Sequence, residues 1–366
     1  VGDENEGYTY AHILGIREAA KKLEIPDEAI IWKYNIPEDQ TTYDMAIDLV
    51  ENGANLVISN SYSHQSFMQQ AASENPEVTF VALTGDNGAP SGLDNLKNAF
   101  PHTYESRYVS GIVAGMKIKE LADNGELVDA NFNEEGKVKV GYVGAWPYAE
   151  VKSGYTSWFL GLRSVVENAT IEVKFTSSWY DETAEKTTAE YLIQRGAKLI
   201  SQPADSYGAP NACETAGIPN VSYNGSTLSQ CPNTFLVSSK INWQPYYEHV
   251  IDCYLNKKTL EKDFVGTLKD GSVELTDFSK NCADGTANFV NNVKAELENG
   301  TRHVFDTSKF TVNGAAPTEA NCAPSKQWTF DYPDGTEFLK NGFYNESTYR
   351  SAPSFDVDID GITLLD

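Results

Sequence analysis

Asn55-Leu56-Val57-Ile58-Ser59-Asn60-Ser61-Tyr62-Ser63-His64 is the stretch that decides the fold. Its first half is a short apolar run without polar alternation, the pattern of a strand covered on both faces. Its second half turns to small, polar and aromatic residues just ahead of a helical pattern at 65–74. A strand covered on both faces needs a layer of helices above and below, so it belongs to a parallel sheet. Such sheets hold ligands in the crevice beyond the carboxyl ends of their strands. Asn60 and Tyr62 are therefore crevice candidates; His64 reads first as a solvated or helix-capping residue and second as a neighbour of that crevice.

Working upstream, residues 42–52 read as a helix that stops at Gly53, and Ala29-Ile30-Ile31-Trp32 as a short strand. Residues 11–23 place Ile13, Leu14, Ile16, Ala19, Ala20 and Leu23 at helical spacing before the break at Pro26. The opening Val1-Gly2-Asp3-Glu4-Asn5-Glu6-Gly7-Tyr8-Thr9-Tyr10 reads as the carboxyl end of a buried strand whose earlier residues would precede Val1, then a polar turn and two aromatics at a helix start. Downstream, Val78-Thr79-Phe80-Val81-Ala82-Leu83 is the next strand, and a helix covers 104–121.

A second series follows the polar stretch 122–135. Val138-Lys139-Val140-Gly141-Tyr142-Val143 is a strand and 155–166 a helix. Ile171-Glu172-Val173-Lys174-Phe175-Thr176 is a strand that ends in Ser177-Ser178-Trp179-Tyr180-Asp181; the helix 184–195 and strands at 198–202, 220–223 and 234–238 complete the set. Two βαβα series with polar and aromatic loops after their strands predict an α/β protein of two Rossmann-like lobes with a cleft between them. At 366 residues the chain is long for one core and suits two.

The formal charge of −24, from 52 acids against 28 bases, argues against nucleic acid and against docking on anionic lipid. No run reaches the roughly eighteen apolar residues of a membrane span. Cys213, Cys231, Cys253, Cys282 and Cys322 are scattered, without CxxC pairs. Cys213 with Cys231, Cys282 with Cys322, and free thiols all remain open.

Several motifs carry a resemblance. Asp3-x-x-x-x-Tyr8-Thr9 followed by Gly15, Tyr104-Glu105-x-x-Tyr108-x-x-Gly111-x-x-Ala114-Gly115, Val140-Gly141-Tyr142-Val143-Gly144 and Phe235-Leu236-Val237-Ser238-Ser239-Lys240 occur in the order found in the basic membrane protein family of substrate-binding lipoproteins. The tail, with Gly342-Phe343-Tyr344-Asn345-Glu346-Ser347 and Asp358-Ile359-Asp360-Gly361-Ile362, resembles a longer-tailed branch of that family.

The resemblance implies a periplasmic-binding-protein type I fold with a hinge and central cleft, acting as the extracytoplasmic, lipid-anchored or periplasmic receptor of an ABC importer. Its characterised members bind purine nucleosides. By that analogy Tyr8 and Trp179 flank the base from opposite lobes, and Asp3 and Glu105 accept hydrogen bonds from base or sugar. Lys240 would lie near the sugar. Asn224 stands where the family usually has an aspartate that grips ribose, which opens the alternative of a free nucleobase. Thr9, Trp146, Asp181 and Asp205 complete the candidate contacts. The expected partners are the small ligand and a membrane permease, with the protein a monomer and no cofactor or metal. Type I chains cross between lobes repeatedly, so residues 1–111 with 243–300 are expected to form one lobe. Residues 112–242 with 301–366 would form the other, in which 307–354, rich in Pro, Gly and Asn, reads as a surface excursion.

An enzyme is the competing class. GxGxxG opening a strand–helix unit, GxxxxGK[ST], HExxH and GxSxG are all missing, and the five histidines are not paired at metal-ligand spacing. The acid cluster Asp3-Glu4-Glu6 has no second cluster to work with, so catalysis is not expected. A sensor on this fold would be joined to a signalling module.

Overall fold

The computed structural model describes residues 7–204, 206–324, 332 and 335–366. In chain order these form α1 (Gly7–Lys22), α2 (Gln40–Glu51), β1 (Leu56–Ser59), α3 (Gln65–Glu74), β2 (Thr79–Ala82), β3 (Leu96–Ala99), α4 (Thr103–Asp123), β4 (Val138–Gly144), α5 (Ala149–Arg163), β5 (Ala169–Phe175), α6 (Glu182–Gln194) and β6 (Ile200–Ser201). They continue with α7 (Gly208–Ala216), β7 (Asn220–Tyr223), β8 (Phe235–Ile241), α8 (Gln244–Leu255), β9 (Asp263–Phe264), β10 (Val273–Leu275), α9 (Thr286–Glu298), α10 (Glu319–Cys322), the hairpin β11 (Leu339–Lys340) and β12 (Phe343–Tyr344), and β13 (Ile362–Leu365).

Local chemistry sets a few of the helix ends. Asp39 accepts the Thr41 amide at 2.8 Å to start α2, and Asp181 accepts the Ala184 amide at 2.9 Å to start α6. Gly217, at φ 66° in the left-handed region, ends α7.

Two sheets result. The smaller has the order β1-β2-β3-β9 and is parallel throughout. The larger has the order β10-β8-β7-β6-β4-β5-β13, with only β10 antiparallel to its neighbour. Parallel neighbours cannot be joined by hairpins, so most returns run through helices that cover the faces, while β2–β3 and β7–β8 are joined by longer loops. The chain passes from one sheet to the other between β3 and α4, between β8 and α8, and between β9 and β10. These passages are bonded to one another: the His102 amide donates to Gly266 O at 2.7 Å and the Asn242 amide to Ser272 O at 2.9 Å.

The cores follow the sheets. Ala19 of α1 and Trp243, Tyr246 and Tyr247 around α8 pack with Val81 and Ala99 of the small sheet. Val109 and Ile112 of α4, Trp158 and Phe159 of α5, and Val290 and Val293 of α9 share the core of the large sheet. The α4–α5 crossing is so close that a Cβ on Gly161 would sit 2.0 Å from Tyr108 O, and one on Gly111 1.9 Å from Trp158 O. Glycine is required there for space, not for conformation.

Three sequence expectations differ from what is found. Residues 29–32 are not a strand: a 3-10 turn at Asp27–Ala29 leads into extended backbone with no ladder partner among the described residues. Ile30 and Trp32 of that backbone line a cavity of about 730 Å³ together with Leu56, Val57 and Ile58 of β1. Nor is the tail merely a surface excursion. Phe310, Cys322, Phe338 and Tyr344 are buried, and Phe305 stacks on Phe355 with centroids 4.1 Å apart. Glu346 fastens this tail to α5, accepting from Ser153 Oγ at 2.8 Å and from the Phe355 amide at 2.7 Å. The tail reaches the small sheet too, where the Ser351 amide donates to Asp263 Oδ2 at 2.6 Å. Finally, α9 packs on α4 in the larger core and not with the small sheet. All five cysteines are free thiols.

Candidate functional site

Between the two sheets, beyond the carboxyl ends of their parallel strands, lies a cavity of about 410 Å³, a size suited to a small organic molecule. The small sheet's side contributes Tyr8 from the start of α1, Asn60, Ser61 and Tyr62 after β1, and Thr84 after β2. The large sheet's side contributes Tyr142 from β4, Trp146 after it, Ser178 and Trp179 after β5, and Tyr223 at the end of β7. Strand-end loops provide most of the walls, as the doubly wound topology dictates.

The aromatic groups form two faces. Trp146 and Tyr148 stack with centroids 5.9 Å apart and planes 12° apart, and Tyr148 meets Trp179 at 6.2 Å. Trp179 is 40% exposed, so its ring serves no core. Opposite, the Tyr8 ring stands edge-on to His12 at 4.7 Å, while its hydroxyl lies 3.3 Å from Thr84 Oγ1. Burial pushes the Tyr8 hydroxyl well above its usual pKa, so it stays a neutral donor. Tyr62, whose hydroxyl donates to Asp86 Oδ2 at 3.4 Å, is pushed up to about 12, chiefly by burial.

Of the residues singled out in the sequence, Tyr8, Asn60, Tyr62, Trp146 and Trp179 come together around this cavity. Thr9 lies behind Asn60, whose Nδ2 donates to its Oγ1 at 3.4 Å. The others have different surroundings. Glu105 accepts the Leu268 amide at 2.7 Å beside the passage between lobes. Asp181 caps α6. Asn224, at φ 55°, accepts the Ile241 amide on its Oδ1 at 3.3 Å. Lys240 pairs with Glu274 at 2.7 Å. None of these four lines the cavity. His64 is buried against the separate 730 Å³ cavity, where burial lowers its pKa to about 4. Asp3 and Asp205 lie outside the described residues.

Sequence reading missed the polar floor. Arg107 of α4 lines the cavity with its guanidinium carbon 3.9 Å from the Tyr223 ring centroid, and its Nη1 donates to Gln202 O at 2.9 Å. Glu150, in the first turn of α5, lines it too, and burial raises its carboxyl to about 7 against the opposing pull of Arg107. Tyr142 Oη is buried without a hydrogen-bond partner among the described residues. One signal was available: Arg107 is a charged residue within the stretch 106–115 of α4, which is otherwise made of small, apolar and aromatic residues. Among the described residues no group of three or more His, Cys, Asp or Glu is placed to hold a metal, and no helix is long and apolar enough to cross a membrane.

Residues 4–302 match the family described as ABC transporter substrate-binding protein, PnrA-like. A purine-binding protein of Brucella abortus is 25% identical over 299 residues, covering 82% of this chain and 79% of its own length. A putative ABC transporter glucose-binding protein of Haloferax volcanii is 24% identical over 261 residues, covering 71% of this chain and 61% of its own length. Among solved structures, a solute-binding protein of an ABC transporter from Conexibacter woesei superposes with a TM-score of 0.62 at 20% identity, covering 82% of this chain and 95% of that one.

Proposed function

The chain belongs to the PnrA-like family of ABC transporter substrate-binding proteins, and from that premise we propose that its interlobe cavity captures a purine, as the nucleoside or the free base, for delivery to a membrane permease. The family places the protein outside the cytoplasm as a receptor for a small ligand; attachment by an amino-terminal lipid, a monomeric state and the absence of catalysis belong to the proposal.

The observation that carries the purine reading is the pairing of aromatic faces across the cleft, Tyr8 on one side and Trp146 and Trp179, bridged from outside the lining by Tyr148, on the other. A flat heteroaromatic ring fits such a slot, and stacking contributes on the order of 1–3 kcal/mol per base. The name of the Brucella relative, which is 25% identical, points the same way. Hinge closure follows from the two-sided lining: a ligand that touches both lobes favours the closed arrangement by its added contacts there.

The free base is the second reading, and one observation favours it. Asn224 and Lys240, expected at the sugar end, are engaged with Ile241 and Glu274 outside the cavity lining. Calorimetry on refolded, ligand-stripped protein with adenosine, guanosine and inosine and with their free bases tests both readings. Saturable binding of at least one compound is expected, and bases binding as tightly as nucleosides would favour the second. If none binds, the purine proposal fails.

A further inference from the structure

The cavity floor has chemistry that the aromatic slot does not explain. Glu150 and Gly154 are one turn apart on α5, and a Cβ on Gly154 would lie 3.7 Å from Tyr142 Oη and 3.9 Å from Arg107 Nε. Those are ordinary van der Waals distances, so this turn of α5 lies directly against both the tyrosine hydroxyl and the guanidinium. Arg107 is held in one plane by Tyr223 beneath it and by its bond to Gln202 O, which uses only one of its several donors. Glu150 and Arg107 face the same cavity. A fixed donor beside an acceptor is a complementary template for one kind of ring edge.

Resting on the purine reading, we propose that Arg107 and Glu150 are the specificity element of the cavity. They select the lactam edge of a 6-oxopurine, a ring carbonyl next to a ring N–H, over the amino and imine edge of a 6-aminopurine. The carbonyl accepts from the Arg107 guanidinium and the N–H donates to the Glu150 carboxylate. A 6-aminopurine reverses both groups: its amino N–H meets the guanidinium donors and its ring nitrogen lone pair meets the carboxylate. Buried groups left facing their own kind are unsatisfied, and sites built to hydrogen-bond one edge reject the analogue strongly. Tyr142 Oη, without a partner among the described residues, supplies a further hydrogen-bonding group at the same end.

The test is calorimetry at pH 8 with hypoxanthine and inosine against adenine and adenosine, and with uracil against cytosine, on the ligand-stripped wild-type chain and on Glu150→Gln. The 6-oxopurines are expected to bind on the order of 10–100-fold more tightly than the 6-aminopurines. A glutamine amide turns either its donor or its acceptor to the ring, so Glu150→Gln is expected to narrow that ratio by roughly tenfold. A residue with only a structural role would weaken both ligand classes together and leave the ratio unchanged. Purines that bind without lactam preference, or a ratio untouched in Glu150→Gln, would overturn the selection and leave the purine reading standing. No purine binding, with uracil favoured over cytosine, would retain the lactam element and remove the purine reading. Binding by neither class would remove both.

Discussion

Replacing Glu150 by glutamine isolates what it costs the fold to keep an ionised carboxylate at the cavity floor. Burial moves this carboxyl from its ordinary 4.5 to about 7. At ~1.4 kcal/mol per tenfold change in proton affinity, the ionised form is disfavoured by about 3 kcal/mol. The carboxyl keeps partial contact with a solvent-accessible cavity, so about 1–2 kcal/mol is the expected share. The sign follows from linkage. A folded-state value above the unfolded one means that the folded protein holds the proton more tightly. The contribution to stability is therefore fully present below about 4.5 and lost as pH rises through about 7. The groups facing Glu150 are Arg107 from α4, Tyr8 from α1, Tyr142 from β4 and Glu38 from the loop before α2. They are common to both chains, so their own titration cancels when wild type and variant are compared. Urea unfolding of ligand-stripped protein should find Glu150→Gln more stable by about 1–2 kcal/mol at pH 8, with the gap closing near pH 4.5. A gap that is absent at pH 8, or equal at both pH values, would refute the reasoning.

Other expectations concern the packing, the walls and the floor. Gly161→Ala places a methyl group 2.0 Å from Tyr108 O at the α4–α5 crossing; a loss of about 3 kcal/mol or more is expected, visible as a fall of several degrees in thermal unfolding, and an unshifted transition would mean that the helices do not cross this closely. Trp179→Ala removes a ring that is 40% exposed, so the melting temperature should hold while calorimetric affinity for the purine drops at least about tenfold; equal affinity would place Trp179 outside the slot. Affinity for a 6-oxopurine should fall by up to about tenfold between pH 8 and pH 6 as Glu150 takes up its proton, and be flat in Glu150→Gln. The same slope in the variant would assign the dependence to another group.

The parallel sheets were legible because strands covered on both faces leave continuous apolar runs, as in residues 140–143, and because polar and aromatic residues cluster just after them; residues 55–59 carry the same pattern although β1 is a half-buried edge strand. That same rule located Asn60, Tyr62, Trp146 and Trp179 at the cavity. Arg107 and Glu150 escaped because they sit inside helices, not on strand-end loops. Most of α4 is buried, so it has no clear polar face against which a functional residue would stand out. Asn224 follows the last residue of β7 in the left-handed region, which redirects its side chain, and Lys240 stands directly across the β8–β10 ladder from Glu274, which claims its ammonium. Tyr223 lines the cavity, whereas Asn224 turns back to bond Ile241. The tail hid its contribution because it packs isolated aromatics between turns, with neither the two-residue nor the 3.6-residue period that betrays a core. Residues 29–32 carried the composition of a strand, but composition does not supply the neighbouring ladder on which a strand depends.

The central claim is that the interlobe cavity is a purine slot. Its most direct test is isothermal titration of refolded, ligand-stripped protein with a panel of purine nucleosides and bases. Saturable one-to-one binding of at least one purine, weakened in Trp179→Ala without loss of folded structure, is the predicted result. Protein that is folded yet gives no binding heat with any purine at several temperatures would contradict it.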